Sequence, residues 1–150
     1  MGNVCRSPMA QVVAGQLGKM AHLAPDYAVA SAGTHAARFS GPMDGRAKAA
    51  LARRGYAVGK IKSRLIADKD FERFDLILAM DQSNMNALRR VCPGEHVHKL
   101  RLFLEFAPEM GLAEVPDPYY GTEQGFERVL DLCEAGARGL IAYLQTAGVR

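Results

Sequence analysis

The apolar positions of this chain change period several times, and each change marks an element. Met9, Val12, Val13, Leu17 and Met20 recur at three- and four-residue spacing, which predicts one face of a helix. Ser7-Pro8 ahead of them reads as N-cap and first helical position: the serine oxygen accepts from first-turn N–H groups, and proline lacks an N–H that would be unused there. "YAVASA" at residues 27–32 reads as a short strand and "GTHAARFSGPMDG" as a loop. Residues 44–54 predict a second helix terminated by Gly55. Residues 66–74, which contain "DKDFERF", predict a short third one.

"DLILAM" at residues 75–80 is a nearly continuous apolar run, as expected of a strand buried on both faces. Residues 82–91 read as helix, and "VHKLRLFLEF" begins as a strand. "VPDPYYGTEQG" reads as a loop, with Thr122 as N-cap of the last helix. There Phe126, Val129, Leu130, Cys133, Ala137, Leu140, Ile141 and Leu144 form one stripe. Strands alternating with helices predict a single α/β domain over residues 1–150, a parallel sheet of about four strands flanked by helices on both faces. The order has a gap. Such a domain normally opens with a strand whose turn into the first helix carries a phosphate loop; here the turn and helix come with no strand before them.

Composition narrows the function. The chain has 150 residues, 49% hydrophobic and 23% charged, an ordinary globular balance with room for one core. Its net charge of +3 favours an anionic ligand, but no Lys/Arg run or aromatic-basic stripe suggests nucleic acid. Neither an apolar stretch long enough for a membrane span nor a signal-peptide pattern is present. Cys5, Cys92 and Cys133 are too few and scattered for a disulfide framework or a zinc site, and read as reduced thiols of a cytoplasmic protein.

"GNVCRSPMA" near one end and "DPYYG" near the other, with "SAGTHA" and "LAMDQSN" between them in order, resemble the low-molecular-weight protein tyrosine phosphatases. The resemblance covers essentially the whole chain. In that family the opening motif is a strand ending in Cys-x-Gly-Asn-x-Cys-Arg-Ser, whose first cysteine is the nucleophile. With Gly2, Asn3, Cys5, Arg6 and Ser7 aligned to it, the nucleophile falls one position before Met1, and Met1 takes the "x". The expectation is therefore a phosphate loop cut just after its catalytic residue, in a chain that starts at an internal methionine. The missing strand is expected between "YAVASA" and "DLILAM", leaving the chain unstable or oligomeric unless another segment fills the gap.

By the same resemblance Gly2, Asn3, Val4, Cys5, Arg6 and Ser7 form the phosphate-binding loop. Arg6 binds phosphate oxygens through its planar fork, Ser7 also reaches the nucleophilic thiolate, and Asn3 tolerates the left-handed backbone the loop needs. Cys5 matches the family's second cysteine, which can protect the nucleophile by reversible disulfide formation. Adjacent to Arg6 in sequence, it cannot sit at the base of the loop and attack phosphorus. Asp117 matches the general acid that protonates the leaving phenolate, and Tyr119 and Tyr120 match the wall that holds the substrate ring. The implied substrates are a phosphotyrosine protein or a small aryl phosphate, with inorganic phosphate or a similar oxyanion as ligand. No metal or other cofactor is implied.

Other residues carry plainer readings. Cys133 belongs to the apolar stripe and reads as a core thiol. Cys92 precedes Pro93 at a helix end, and His96 and His98 alternate on a strand without a third ligand. His35 reads as an exposed loop residue, and Asp81 as a helix cap that helps orient the phosphate loop. The alternatives are a truncated phosphate-binding pseudophosphatase and an arsenate reductase of the same fold; "DPYY" and the lack of a redox cysteine pair count against the latter. A protein-arginine phosphatase would carry threonine at the Val4 position.

Overall fold

The computed structural model describes residues 5–23, 27–34, 41–118 and 121–147. Helix α1 spans Arg6–Met20, α2 Gly45–Arg53, α3 Asp68–Arg73, α4 Gln82–Val91 and α5 Glu123–Ala147; strands β1 (Ile77–Ala79) and β2 (Leu100–Leu102) lie among them. Short 3-10 turns at Gly94–Lys99, Phe103–Phe106 and Pro108–Met110 connect the second half.

The helices form where their sequence periods predict. Helix α1 starts two residues early: Cys5 is its N-cap and makes no side-chain cap, so Ser7 and Pro8 lie within the first turn. Proline is tolerated there because first-turn N–H groups have no intrahelical acceptor. Met9 and Val13 are fully buried, whereas Met20 at the far end of the stripe is exposed. Asp44 caps α2 by accepting from the Arg46 N–H at 2.8 Å, and Gly55 follows with φ of 83°, a conformation that favours glycine. Asp81 caps α4 by accepting from the Asn84 N–H at 2.7 Å.

The sheet departs from expectation. Among the described residues it has two strands rather than about four, β1 and β2, parallel, with Ile77 opposite Leu100 and Ala79 opposite Leu102. Residues 27–32 belong to no ladder, although Ala28 and Ala30 are exposed and Tyr27, Val29 and Ser31 half-buried, the alternation of a strand. An extended segment becomes a strand only when a neighbour takes its backbone bonds, and none of the described residues does so here. "VHKLRLFLEF" also keeps only three strand residues, because 3-10 turns close on both sides of it. His96 and His98 consequently lie on a turn, not a strand.

Helices cover both faces of β1. Leu78 and Met80 face the larger core, built from α1, α2 and α5 around Met9, Val13, Phe126, Leu130 and Cys133. Ile77 and Ala79 face the opposite way, onto Phe71 of α3 and Met85 and Leu88 of α4. This is the α/β layering the sequence predicts. A hollow of about 760 Å³ runs between β1 and residues 27–32, under α1 and the end of α5.

Candidate active site

The site is assembled where β1 ends and α1 begins. Arg6, 4% exposed, sits in the first turn of α1. Its Nη1 donates to Asp81 Oδ2 at 2.8 Å and to the Val115 carbonyl at 2.7 Å. Both partners are fixed in turn: Asp81 follows β1 and caps α4, and the Val115 N–H donates to the Met80 carbonyl at 2.8 Å. Two separate parts of the chain thus hold one guanidinium by one of its nitrogens. Nε–H and the Nη2 donors have no acceptor among the described residues, and a buried guanidinium with free donors is suited to an anion.

The electrostatics follow from this packing. Partial burial works to raise the Asp81 carboxyl, but the Asn84 N–H and the Arg6 guanidinium outweigh it and hold the group below the usual carboxylate range. Burial pushes the Cys5 thiol up to about 12, assisted by the Asp44 and Asp117 charges. Cys5 is therefore a neutral thiol at physiological pH, the wrong state for attack on phosphorus. Asp117 lies on the exposed segment two residues after Val115, and its charge is felt at Cys5, which brings it to the same end of the sheet as Arg6.

Among the predicted site residues, Cys5, Arg6, Ser7 and Asp117 are brought to this end of the sheet. Gly2, Asn3, Val4, Tyr119, Tyr120 and also His35 lie outside the described residues. Two participants were missed. The Val115 carbonyl is a main-chain acceptor that leaves no mark in the sequence. Asp44 was legible only as the start of α2, but it also faces Cys5 electrostatically. Arg46 beside it lies over the Phe126 ring at 4.8 Å and reaches the Gly121 carbonyl at 3.5 Å, tying the far end of the Asp117 loop to α2.

A guanidinium held in the first turn of a helix, with donors left over, suits an anion. Over residues 1–149 the chain matches the family described as "Low molecular weight phosphotyrosine protein phosphatase", and it belongs to that family. A relative from Streptomyces coelicolor, a low molecular weight protein-tyrosine-phosphatase, is 39% identical over 94% of this chain and 87% of its own length. The crystal structure of a protein tyrosine phosphatase from Entamoeba histolytica, with Hepes in its active site, superposes with a TM-score of 0.94 at 37% identity, covering 99% of this chain and 95% of that one. Vibrio vulnificus Wzb, solved in complex with benzylphosphonate, matches with a TM-score of 0.82 at 30% identity, over 96% and 94% of the two chains. No helix of the described residues is long and apolar enough to cross a membrane.

Proposed function

We propose that this chain carries the phosphate-binding and acid parts of a phosphotyrosine or aryl phosphate hydrolase that works through a cysteinyl-phosphate intermediate. The observation that carries the reading is Arg6, buried in the first turn of α1 and, among the described residues, held only through Nη1. Its remaining donors and the free N–H groups of that turn converge on an anion, which Arg6 would grip more tightly as charge develops in the transition state. Asp117 supplies the leaving-group proton, and Tyr119 and Tyr120 hold the ring. The benzylphosphonate bound by Wzb is a ligand of the matching chemistry.

The 150-residue chain itself is silent in this reaction. Burial pushes both the Cys5 and the Cys133 thiols up to about 12, and Cys92 lies at the C-cap of α4. None offers a thiolate to a phosphate held by Arg6. This favours, as second reading, a phosphate-binding pseudophosphatase that holds phosphorylated partners without hydrolysing them. The thiols suit a reducing compartment such as the cytoplasm, and sheet edges that no described residue pairs allow self-association.

Both readings require anion binding. Phosphate or vanadate should raise the melting temperature of the chain, and Arg6→Lys, which keeps the charge but loses the fork, should weaken that binding at least about tenfold. Undiminished phosphate binding by the lysine variant would overturn the assignment of Arg6.

A further inference from the structure

Asp117 is carried on a segment that runs mostly in solvent, and Val115 is the one buried residue between Gly111 and Asp117. Both backbone groups of Val115 are engaged. Its N–H donates to the Met80 carbonyl at 2.8 Å, and its carbonyl accepts from Arg6 Nη1 at 2.7 Å. The residue before it adds a third tie: the Gln82 N–H, at the start of α4, donates to Glu114 Oε2 at 2.7 Å across 32 positions of sequence. A carboxylate accepting from a first-turn N–H is a charge-assisted bond, stronger than a neutral one.

An acid at a helix start ordinarily serves the helix. Here α4 has a local cap already, since Asp81 accepts from the Asn84 N–H at 2.7 Å and holds Arg6 with its other oxygen. The long-range tie therefore works in the opposite direction, with α4 as the fixed body and residues 114–117 as the part held. We propose that Glu114 is a positioning residue: its bond to the α4 N-terminus seats Val115, and through Val115 it sets the Arg6 guanidinium on one side and the Asp117 carboxylate on the other. The proposal rests on the roles given above to Arg6 and Asp117.

The sequence of the segment explains how a tie at Glu114 reaches Asp117. Pro116 and Pro118 flank the aspartate; each fixes its own φ and biases the residue before it toward extended backbone. Neither has an N–H with which to anchor the segment. A shift at residues 114–115 is thus carried forward to Asp117 rather than absorbed on the way. On the far side, Arg46 reaches the Gly121 carbonyl at 3.5 Å, a long contact beside the 2.7 Å of Glu114. The firmer hold is the one before Asp117.

The test uses the 150-residue chain with Glu114→Ala, which removes the acceptor, and Glu114→Gln, which keeps an oxygen for the Gln82 N–H but no charge. Glu109→Ala is the control, an exposed acid of the preceding turn with no partner among the described residues. Hydrogen exchange is followed by NMR at the Gln82 and Val115 amides and the Arg6 guanidinium, relative to amides of α5, and inorganic phosphate is titrated. In Glu114→Ala the Val115 amide and the Arg6 guanidinium should exchange at least about tenfold faster. Phosphate should bind at least about threefold more weakly, because coupled groups lose more than one contact. Glu114→Gln should fall between, and Glu109→Ala should match the parent. Faster exchange at Gln82 alone, a rise shared equally by α5, or unchanged phosphate affinity would each overturn the proposal. If the alanine variant does not fold, the glutamine variant decides by the same pattern at smaller size. If the parent binds no phosphate, the anion reading fails by itself, and the Val115 and Arg6 exchange rates still decide whether Glu114 holds them.

Discussion

Arg6 does two jobs with different donors, and they can be separated. Through Nη1 it joins β1, α1 and the 115–117 segment, and through its other donors it faces the anion. Asp81→Asn removes the carboxylate from a buried guanidinium and should cost about 1–3 kcal/mol of stability, read as a lower urea midpoint. The pH dependence has a definite sign. Because the folded Asp81 carboxyl is held below its ordinary value of about 3.9, its contribution is present above that pH and is lost as pH falls through the folded value. Asp81→Asn should therefore flatten the acid limb of stability against pH; an unchanged limb would show that other carboxylates dominate it. The thiols give a second residue-scale prediction. Cys5 and Cys133 are buried and protonated, so iodoacetamide should label Cys92 first in the folded chain and all three only after unfolding. Asp81 was legible because a cap precedes a periodic run. The Val115 carbonyl was not, since a main-chain acceptor is independent of residue type.

At the scale of elements, helices were far easier to read than strands, for a physical reason. A helix satisfies its own backbone, so Gln82–Val91 and the stripe of Glu123–Ala147 appear where their apolar period lies. A strand depends on a neighbour distant in sequence: residues 27–32 keep the alternation but form no ladder with any described residue. The two longest helices also show how glycine is used. A Cβ added at Gly139 of α5 would land on the Phe106 backbone carbonyl, which cannot rotate away, whereas one at Gly15 of α1 would meet nothing within 4 Å. Helix propensity alone favours alanine at both by about 1 kcal/mol. Gly15→Ala should therefore stabilise by up to about that amount. Gly139→Ala should instead lose about 1–3 kcal/mol as overpacking outweighs propensity. Paired thermal melts check both signs, and a stabilised Gly139→Ala would mean that the α5 contact with Phe106 is looser than described.

At the scale of the whole molecule, the end of β1, the first turn of α1 and the 115–117 segment meet around Arg6. If Arg6 and Asp117 carry the roles proposed for them, joining an apolar strand that ends in cysteine ahead of Met1 should create aryl phosphatase activity without added metal, inhibited by vanadate at the anion site. In that extended protein Arg6→Ala should nearly abolish turnover, because phosphate orientation and transition-state charge stabilisation disappear together. Asp117→Asn should slow it by about 10²–10⁴-fold, the usual worth of a general acid. Phosphate binding should survive, since asparagine fills the same volume without negative charge. The 150-residue chain should show no turnover and no cysteinyl-phosphate, although it has both Arg6 and Asp117, because a thiol pushed up to about 12 is not a nucleophile at neutral pH. Turnover of aryl phosphate by that chain alone, abolished by Cys5→Ser, would show that Cys5 reaches phosphorus and that the loop register is wrong.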